Sequence, residues 1–386
     1  MDNTVNNAKY IEAFEKVLLE QQERSRSMGA ASFPDYSKAE KIVIGTFAGD
    51  GIGPVIMDQT IRVLDYLLAE DLSAGKMELR KIDGLTIENR IAQGNTLPGD
   101  VLTEIKECDL LLKGPTTTPD NQGTGPNLES ANVALRRELD LFANVRPVSI
   151  PEKNINWVFY RENTEGEYVL GSKGIDCGEL AFDFKVTTDA GTERIARAAF
   201  EYAKANGNLR VSIVTKANII KKTDGRFLDI CYRIAKEYPD VATDDWYVDI
   251  MSANLINPRV QKNFNVIIAP NLYGDILTDE AAQIQGGVGT AGSANIGSKH
   301  AMFEAIHGSG LRMVARGNAN LANPASLLNA AEMMLRHIGK TEKANALGKA
   351  LDYANTKMVM AGDGHRDTAE AFADTVLSHL KGERVE

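Results

Sequence analysis

From Lys41 onward the chain alternates between short apolar runs that suit a buried strand and longer runs with helical periodicity. That alternation is what most constrains its fold. KIVIGTF reads as a buried strand, GDGIGP as a turn, and VIMDQTIRVLDYLLAE as an amphipathic helix with Pro54 at its first position. A helix near DVLTEIKE, the strand DLLLK, a helix after Asn132 and strands in LFANVRPV and NWVFYRE follow. Further on come the helix TERIARAAFEYAKANG, the strand RVSIVTK, a helix after Asp224, strands WYVDIM and VIIAP, and the helix DILTDEAAQIQ. The tail from Asn323 is helical, with Pro324 in the first turn of NPASLLNAAEMMLRHIG. Such a succession predicts an α/β fold on a mostly parallel sheet.

Two stretches break the rhythm. Residues 166–190, rich in glycine and short alternating pieces, predict a projecting β arm suited to oligomerisation. In residues 1–40, Ile11, Phe14 and Leu18 fall at helical spacing, which predicts a short amphipathic helix packing against the body or a partner subunit, then a polar linker through Pro34.

The 386 residues, 43% of them hydrophobic, can build a substantial core of one large or two smaller bodies. A formal charge of -10 argues against a nucleic-acid or anionic-membrane partner, so any anionic ligand must meet local positive charge. No run approaches the roughly 18 apolar residues of a membrane span. The N-terminus, with Glu12, Glu15 and Glu20, resembles neither a signal nor a transit peptide. Cys108, Cys177 and Cys231 are widely spaced, predicting neither a zinc site nor a disulfide framework and fitting a cytoplasmic location.

Read residue by residue, the candidate motifs are each ambiguous. GDGIGP lacks the GxGxxG spacing and any following GK[ST], so a tight strand-to-helix turn is preferred over a nucleotide loop. Asp275 and Asp279, four apart on one helical face, repel unless solvent, a cation or a basic side chain relieves them. Asp249 at the end of the strand WYVDI is a third carboxylate, and an oxygen-only set suits Mg²⁺ or Mn²⁺. Arg161 and Tyr168 flank three glutamates in YRENTEGEY, Lys216 and Asn218 follow a β-branched strand, and His307 lies among glycines in AIHGSG. Singly, each is as well explained by a surface or core role.

Taken in order, GDGIGP, KGPTTTP, SANVALRRELDLFANVRP, YRENTEGEY, TKANIIK, NLYGDILTDEAA, AIHGSG and NPASLLNAAEMMLRHIG resemble the β-decarboxylating dehydrogenases, the isocitrate and 3-isopropylmalate dehydrogenase family, from about residue 41 to the C-terminus. The resemblance implies a large α/β domain (41–141 and 286–386), a smaller α/β domain with the arm (142–285), an N-terminal extension (1–40), and no GxGxxG Rossmann fold. It implies a homodimer with shared active sites, in which Lys216 and Asp249 reach in from the second subunit. It implies that Asp249, Asp275 and Asp279 hold Mg²⁺ or Mn²⁺, and that Arg136, Arg146 and Arg161, with Thr118, Ser130, Asn132 and Asn218, bind a small tricarboxylate. Lys216 would assist deprotonation of the hydroxyl, and Tyr168 would protonate the enol. Thr117, His307, Gly308, Ser309, Arg312 and Asn323 would line the nicotinamide cofactor.

Within the resemblance, Ser130 and Asn132 ahead of Arg136 favour isocitrate, whose γ-carboxylate they would hydrogen-bond, over 3-isopropylmalate, whose branched alkyl group would leave them unpaired. Homoisocitrate is the harder rival, and a non-catalytic regulatory subunit is disfavoured because Tyr168, Lys216 and all three aspartates are present. For the cofactor, Gly310-Leu311 replace the family's Ala-Pro. Arg312 suits an NADP phosphate, but Met313 in place of tyrosine and the short tail GDGHRDTAEAF look more like NAD members, so NAD is preferred. The stretches TTTPDNQGTGPNLES and RGNANLANP are longer than in compact members.

Overall fold

The structure is a computed structural model and describes residues 7–28, 34–119, 128–171, 174–287, 291–360 and 367–382. The chain begins with helix α1 (Asn7–Ser27), then β1 (Ile42–Phe47), α2 (Gly53–Leu67), α3 (Ala69–Ser73), β2 (Met77–Lys81), α4 (Ile87–Gln93), α5 (Gly99–Lys106) and β3 (Leu110–Lys113). Next come α6 (Ala131–Glu138), β4 (Ala143–Ile150), β5 (Ile155–Glu162), the short strands β6 (Ile175–Asp176) and β7 (Ala181–Phe182), α7 (Asp189–Ala205), β8 (Val211–Thr215) and α8 (Thr223–Ala235). The rest is β9 (Thr243–Tyr247), α9 (Val248–Leu255), β10 (Val266–Ala269), α10 (Asn271–Gln285), β11 (Gly292–Ile296), β12 (Ala301–Ala305), α11 (Leu311–Ala315), α12 (Ala325–His337), α13 (Thr341–Lys357) and α14 (Ala369–Leu380).

Contacts divide the chain into a smaller unit, 1–31 with 160–276, and a larger unit, 32–159 with 277–386. The divisions fall inside β5 and α10, whereas the sequence reading puts them at 141/142 and 285/286. A continuous strand or helix carries no punctuation that would mark such a passage.

In the larger unit the strand order is β2-β1-β3-β12-β11-β4. Five of these run in one direction and β11 runs against them, antiparallel to both β12 and β4, so the sheet here is mostly parallel as expected, with one reversed strand. β11 and β12 escaped the sequence reading because GSANI and AMFEA are short and rich in small residues. Helices α2, α12, α13 and α14 pack with one another. A buried cluster joins α5 and α6 to the strands through Phe47, Val101, Ile105, Leu111, Leu135 and Met302.

In the smaller unit β10-β8-β9 are parallel, and α7 and α8 pack on them through residues such as Phe200, Phe227 and Ile234. Within 166–190, β6 and β7 form a short antiparallel pair, with Leu180 and Phe182 exposed. One local expectation changes: WYVDIM is not one strand, since β9 ends at Tyr247 and Asp249 lies in the first turn of α9. Residues 7–27 form the expected helix, with Ile11 and Leu18 exposed in this single chain and Phe14, also partly exposed, beside Phe184.

The turn GDGIGP belongs wholly to the larger unit and shows why its glycines are needed. Gly49 and Gly51 have φ of 70° and 62°, and a Cβ on Gly51 would lie 1.9 Å from the Ser309 carbonyl oxygen. Asp50 is buried between them, its carboxylate accepting from the backbone N–H of Ile87 (2.8 Å) and Thr117 (2.6 Å). The turn is thus a clamp on neighbouring segments. Gly51→Ala is expected to destabilise the protein by at least about 2 kcal/mol, from left-handed strain plus the backbone clash, read as a lowered urea midpoint. An unchanged midpoint would refute this account of the turn.

Candidate active site

In the larger unit one of the expected anion-binding residues, Arg136, is held by a buried carboxylate. Lys113 ends the apolar strand β3, and the parallel register sets it directly opposite Glu304 of β12. Glu304 accepts from Lys113 Nζ (3.2 Å), Arg136 Nη2 (3.1 Å) and Asn295 Nδ2 (2.8 Å). Burial pushes the Glu304 pKa up, but Lys113 and Arg136 outweigh it and hold the group at about 2. Burial lowers the Lys113 pKa even so. Arg136 comes from the last turn of α6, and its Nε is buried with no hydrogen-bond partner.

The residues ahead of Arg136 are set by the start of the same helix. Ser130 is the N-cap residue, with no capping bond from its hydroxyl. Asn132 lies one helical turn before Arg136 and on the same face. Thr116 donates its hydroxyl to Asn132 Oδ1 at 3.0 Å, which turns the donating side of the amide away from Thr116. Thr118 is exposed, and residues 120–127 of TTTPDNQGTGPNLES lie outside the described residues. Arg146, on β4, donates to Thr278 Oγ1 (2.7 Å) and to Asp279 Oδ1 (2.9 Å).

The cofactor candidates also belong to this unit. Thr117 donates to the Ser309 hydroxyl (2.8 Å), and the Ser309 carbonyl accepts from the N–H of Ile52 (2.9 Å). His307 Nδ1 is 2.9 Å from the Gly308 carbonyl oxygen, its Nε2 is buried without a partner, and burial lowers its pKa. Gly310 is left-handed before α11, on which Arg312 is exposed. Asn323 accepts from the N–H of Ala325 at the start of α12. Residues 361–366 of the tail GDGHRDTAEAF are outside the described residues.

In the smaller unit two clusters form. Arg161, at the end of β5 and 1% exposed, donates to Asn271 Oδ1 through Nε (2.9 Å) and Nη2 (2.7 Å), and to Asp275 through Nη1. Tyr168 donates to the other Asp275 oxygen at 2.8 Å, and burial, then Asp275, push its pKa up to about 12. Separately, Lys216 Nζ pairs with Asp249 at 2.6 Å, a hydrogen bond that lowers the Asp249 pKa. Asn218 is exposed nearby in sequence.

The family described as isocitrate/isopropylmalate dehydrogenase matches residues 43–377. The chain belongs to this family. It is 36% identical to the homoisocitrate dehydrogenase of Methanocaldococcus jannaschii, over 86% of this chain and 97% of that one. It is also 36% identical to the 3-isopropylmalate dehydrogenase of Methanothermobacter thermautotrophicus, over 88% and 98%. The crystal structure of isocitrate dehydrogenase from Methylococcus capsulatus superposes with a TM-score of 0.77 at 34% identity, covering 88% of this chain and 99% of that one.

For a member of this family the donor chemistry is apt. Asp275 and Asp279 are one turn apart on α10, and all-carboxylate oxygen suits a hard divalent cation. Among the described residues no three His, Cys, Asp or Glu side chains gather into a metal-binding group. The buried, unpartnered Nε2 of His307 and the joined hydroxyls of Thr117 and Ser309 fit a polar cofactor. Among the described residues no helix is long and apolar enough to cross a membrane.

Sequence reasoning missed Lys113, Glu304, Asn295 and Asn271, which hold the expected residues in place. The available signal was a lysine closing the apolar run DLLLK; nothing local pairs it with a glutamate 191 residues away. Glu304→Leu is expected to cost about 3–5 kcal/mol, because it leaves two buried cations uncompensated. The Glu304 pKa is depressed on folding, so its contribution is present above the ordinary 4.5 and lost as pH falls toward about 2. Stability measured over that window should therefore fall in the parent and fall less steeply in Glu304→Gln; identical slopes would refute the pairing.

Proposed function

We propose that this protein oxidises and decarboxylates isocitrate to 2-oxoglutarate, with NAD as the electron acceptor and Mg²⁺ or Mn²⁺ held by Asp275, Asp279 and Asp249 of the partner subunit. The observation that carries the substrate choice is the first turn of α6. Ser130 and the oriented amide of Asn132 precede Arg136, whose Nε lacks a partner, so polar donors collect where a carboxylate would be read. A branched alkyl group there would leave those donors unpaired. Homoisocitrate, one methylene longer, is the second reading, favoured by the Methanocaldococcus relative.

Held by Thr117, His307, Gly308, Ser309, Arg312 and Asn323, a nicotinamide would supply hydride-accepting chemistry, and a divalent cation held by the three aspartates would supply Lewis-acid polarisation of the substrate oxygens. Arg136, Arg146 and Arg161 hold the substrate carboxylates, because guanidinium stays charged when buried and matches carboxylate geometry. Thr118 and Asn218 add polar contacts to the same acid. Lys216 of the partner subunit draws the hydroxyl proton away as the carbonyl forms. Tyr168, protonated at neutral pH, donates its phenolic proton to the carbon vacated by CO₂. Thr117, His307, Gly308, Ser309, Arg312 and Asn323 orient the cofactor. NAD is favoured over NADP because Arg312 has methionine, not tyrosine, beside it.

Steady-state kinetics on the three acids with Mn²⁺ should give isocitrate the highest kcat/KM, and equal or better turnover of 3-isopropylmalate would overturn the assignment. In the same assay Asn132→Leu should lower kcat/KM for isocitrate roughly 10- to 100-fold, the cost of about 1.5–3 kcal/mol for a hydrogen bond to a charged group. Side-by-side Michaelis constants should favour NAD, and a marked preference for NADP would defeat that part of the reading.

A further inference from the structure

Helix α1 leaves its apolar stripe exposed, yet its C-terminal turn is firmly attached to the smaller unit. Arg24 Nη2 pairs with Glu165 Oε1 at 2.8 Å, and Nη1 donates to the Thr164 carbonyl at 3.2 Å. Phe14 lies 5.3 Å from Phe184 between ring centroids, and the Thr188 hydroxyl contacts Met28 Sδ at 3.9 Å. The ion pair is asymmetric: the Glu165 side chain is 4% exposed and that of Arg24 22%.

Glu165 is a carboxylate that needs a cation. It accepts from the N–H of Thr188 (2.9 Å) and from the Thr188 hydroxyl, and its own N–H donates to Glu162 at 2.6 Å, which brings a second acid close. Burial and Glu162 raise its pKa to about 7, against the opposing pull of Arg24. Without that cation the group must take up a proton or leave its pocket, and a side chain this buried moves its backbone with it.

That backbone supports the residues placed in the chemistry above. The Glu165 carbonyl accepts from Asn271 Nδ2 (2.9 Å), and Asn271 Oδ1 takes two of the Arg161 N–H bonds. Arg161 in turn holds Asp275, to which Tyr168 donates. The adjoining Gly166 is left-handed, and a Cβ there would lie 3.0 Å from Asn271 Cβ, so little slack exists between the two segments. Arg24, Glu165, Asn271, Arg161, Asp275 and Tyr168 all lie in the smaller unit.

We propose that Arg24 is a positioning residue for the reaction: by neutralising Glu165 it fixes, through Asn271, the placement of Arg161 and Tyr168. The N-terminal helix is then a working part of the active site. The proposal rests on the roles given above to Arg161 and Tyr168, and it deepens that reading by adding a residue from outside the region the family match covers.

The test uses the full chain and the variants Arg24→Gln, Arg24→Lys and Arg24→Gln/Glu165→Gln. Arg24→Gln should lower kcat for isocitrate on the order of tenfold or more, the scale expected of small displacements in a catalytic constellation. Arg24→Lys, which keeps the charge, and the double variant, which removes the buried acid, should each return kcat to within about threefold of the parent. Amide hydrogen exchange over 161–168, measured without substrate, should quicken in Arg24→Gln alone. Parent-like kcat in Arg24→Gln, or a double variant no better than the single, overturns the proposal. Should Arg24→Gln fail to fold, the double variant decides against the parent: kcat within about threefold supports the proposal and a loss beyond about tenfold overturns it. If the parent turns over none of the three acids, the functional reading fails, and exchange decides the positioning claim separately. Unchanged exchange over 161–168 then overturns it as well.

Discussion

Glu304 is ionised inside the sheet of the larger unit, and that requirement organises everything around it. A lone buried carboxylate would neutralise or force the strand apart; here it faces Lys113 across the β3–β12 ladder, Arg136 from α6 and Asn295 from β11. Because side chains alternate between faces, a one-residue slip of β12 would put Glu304 on the opposite face and strand two cations. The charge cluster therefore fixes the register of the central strands. With register fixed, the loop after Lys113 delivers Thr116 and Thr117, and Arg136 anchors the helix that begins with Ser130 and Asn132.

The smaller unit applies the same chemistry with different donors. Arg161 is held by Asn271 and Asp275, Lys185 pairs with the buried Asp224, and Arg24 meets Glu165. In a chain of net charge -10, arginines and lysines are spent on particular carboxylates rather than spread over a surface. This is how an acidic protein can keep local positive charge for an anionic ligand without attracting polyanions in general.

Most of the regular elements were legible because their periodicity is local: β1, α2, β3, α7, β8 and α12 follow directly from spacing and from Pro54 and Pro324. The turn GDGIGP was legible for the same reason, since only the absence of the nucleotide spacing was needed to assign it a structural job. Asp249 was misplaced because VDI suits a strand end and a helix start equally, and only the ladder of β8 with β9 stops the strand at Tyr247. The exposed stripe of α1 and the Lys113–Glu304 pair were beyond local reading, because which face is covered and which charges meet are decided by segments far apart in sequence. The identity of Arg161 and Asp275 as partners lay within reach of motif order, but the intervening Asn271 did not.

Overall similarity does not choose among the three acids, and the reason is physical. Relatives named for homoisocitrate and for 3-isopropylmalate are each 36% identical to this chain. Discrimination has to come from the few groups that meet the part that differs. One extra methylene is worth only about 1–3 kcal/mol in a pocket, so homoisocitrate is separated from isocitrate by fit alone. An alkyl group in place of a carboxylate is separated by more, because every donor aimed at the missing charge stays desolvated and unpaired. On the proposed reading, Ser130 and Asn132, the latter held by Thr116 on the helix that Arg136 anchors to Glu304, are such donors. Substrate choice would then depend on the same buried carboxylate that fixes the sheet register.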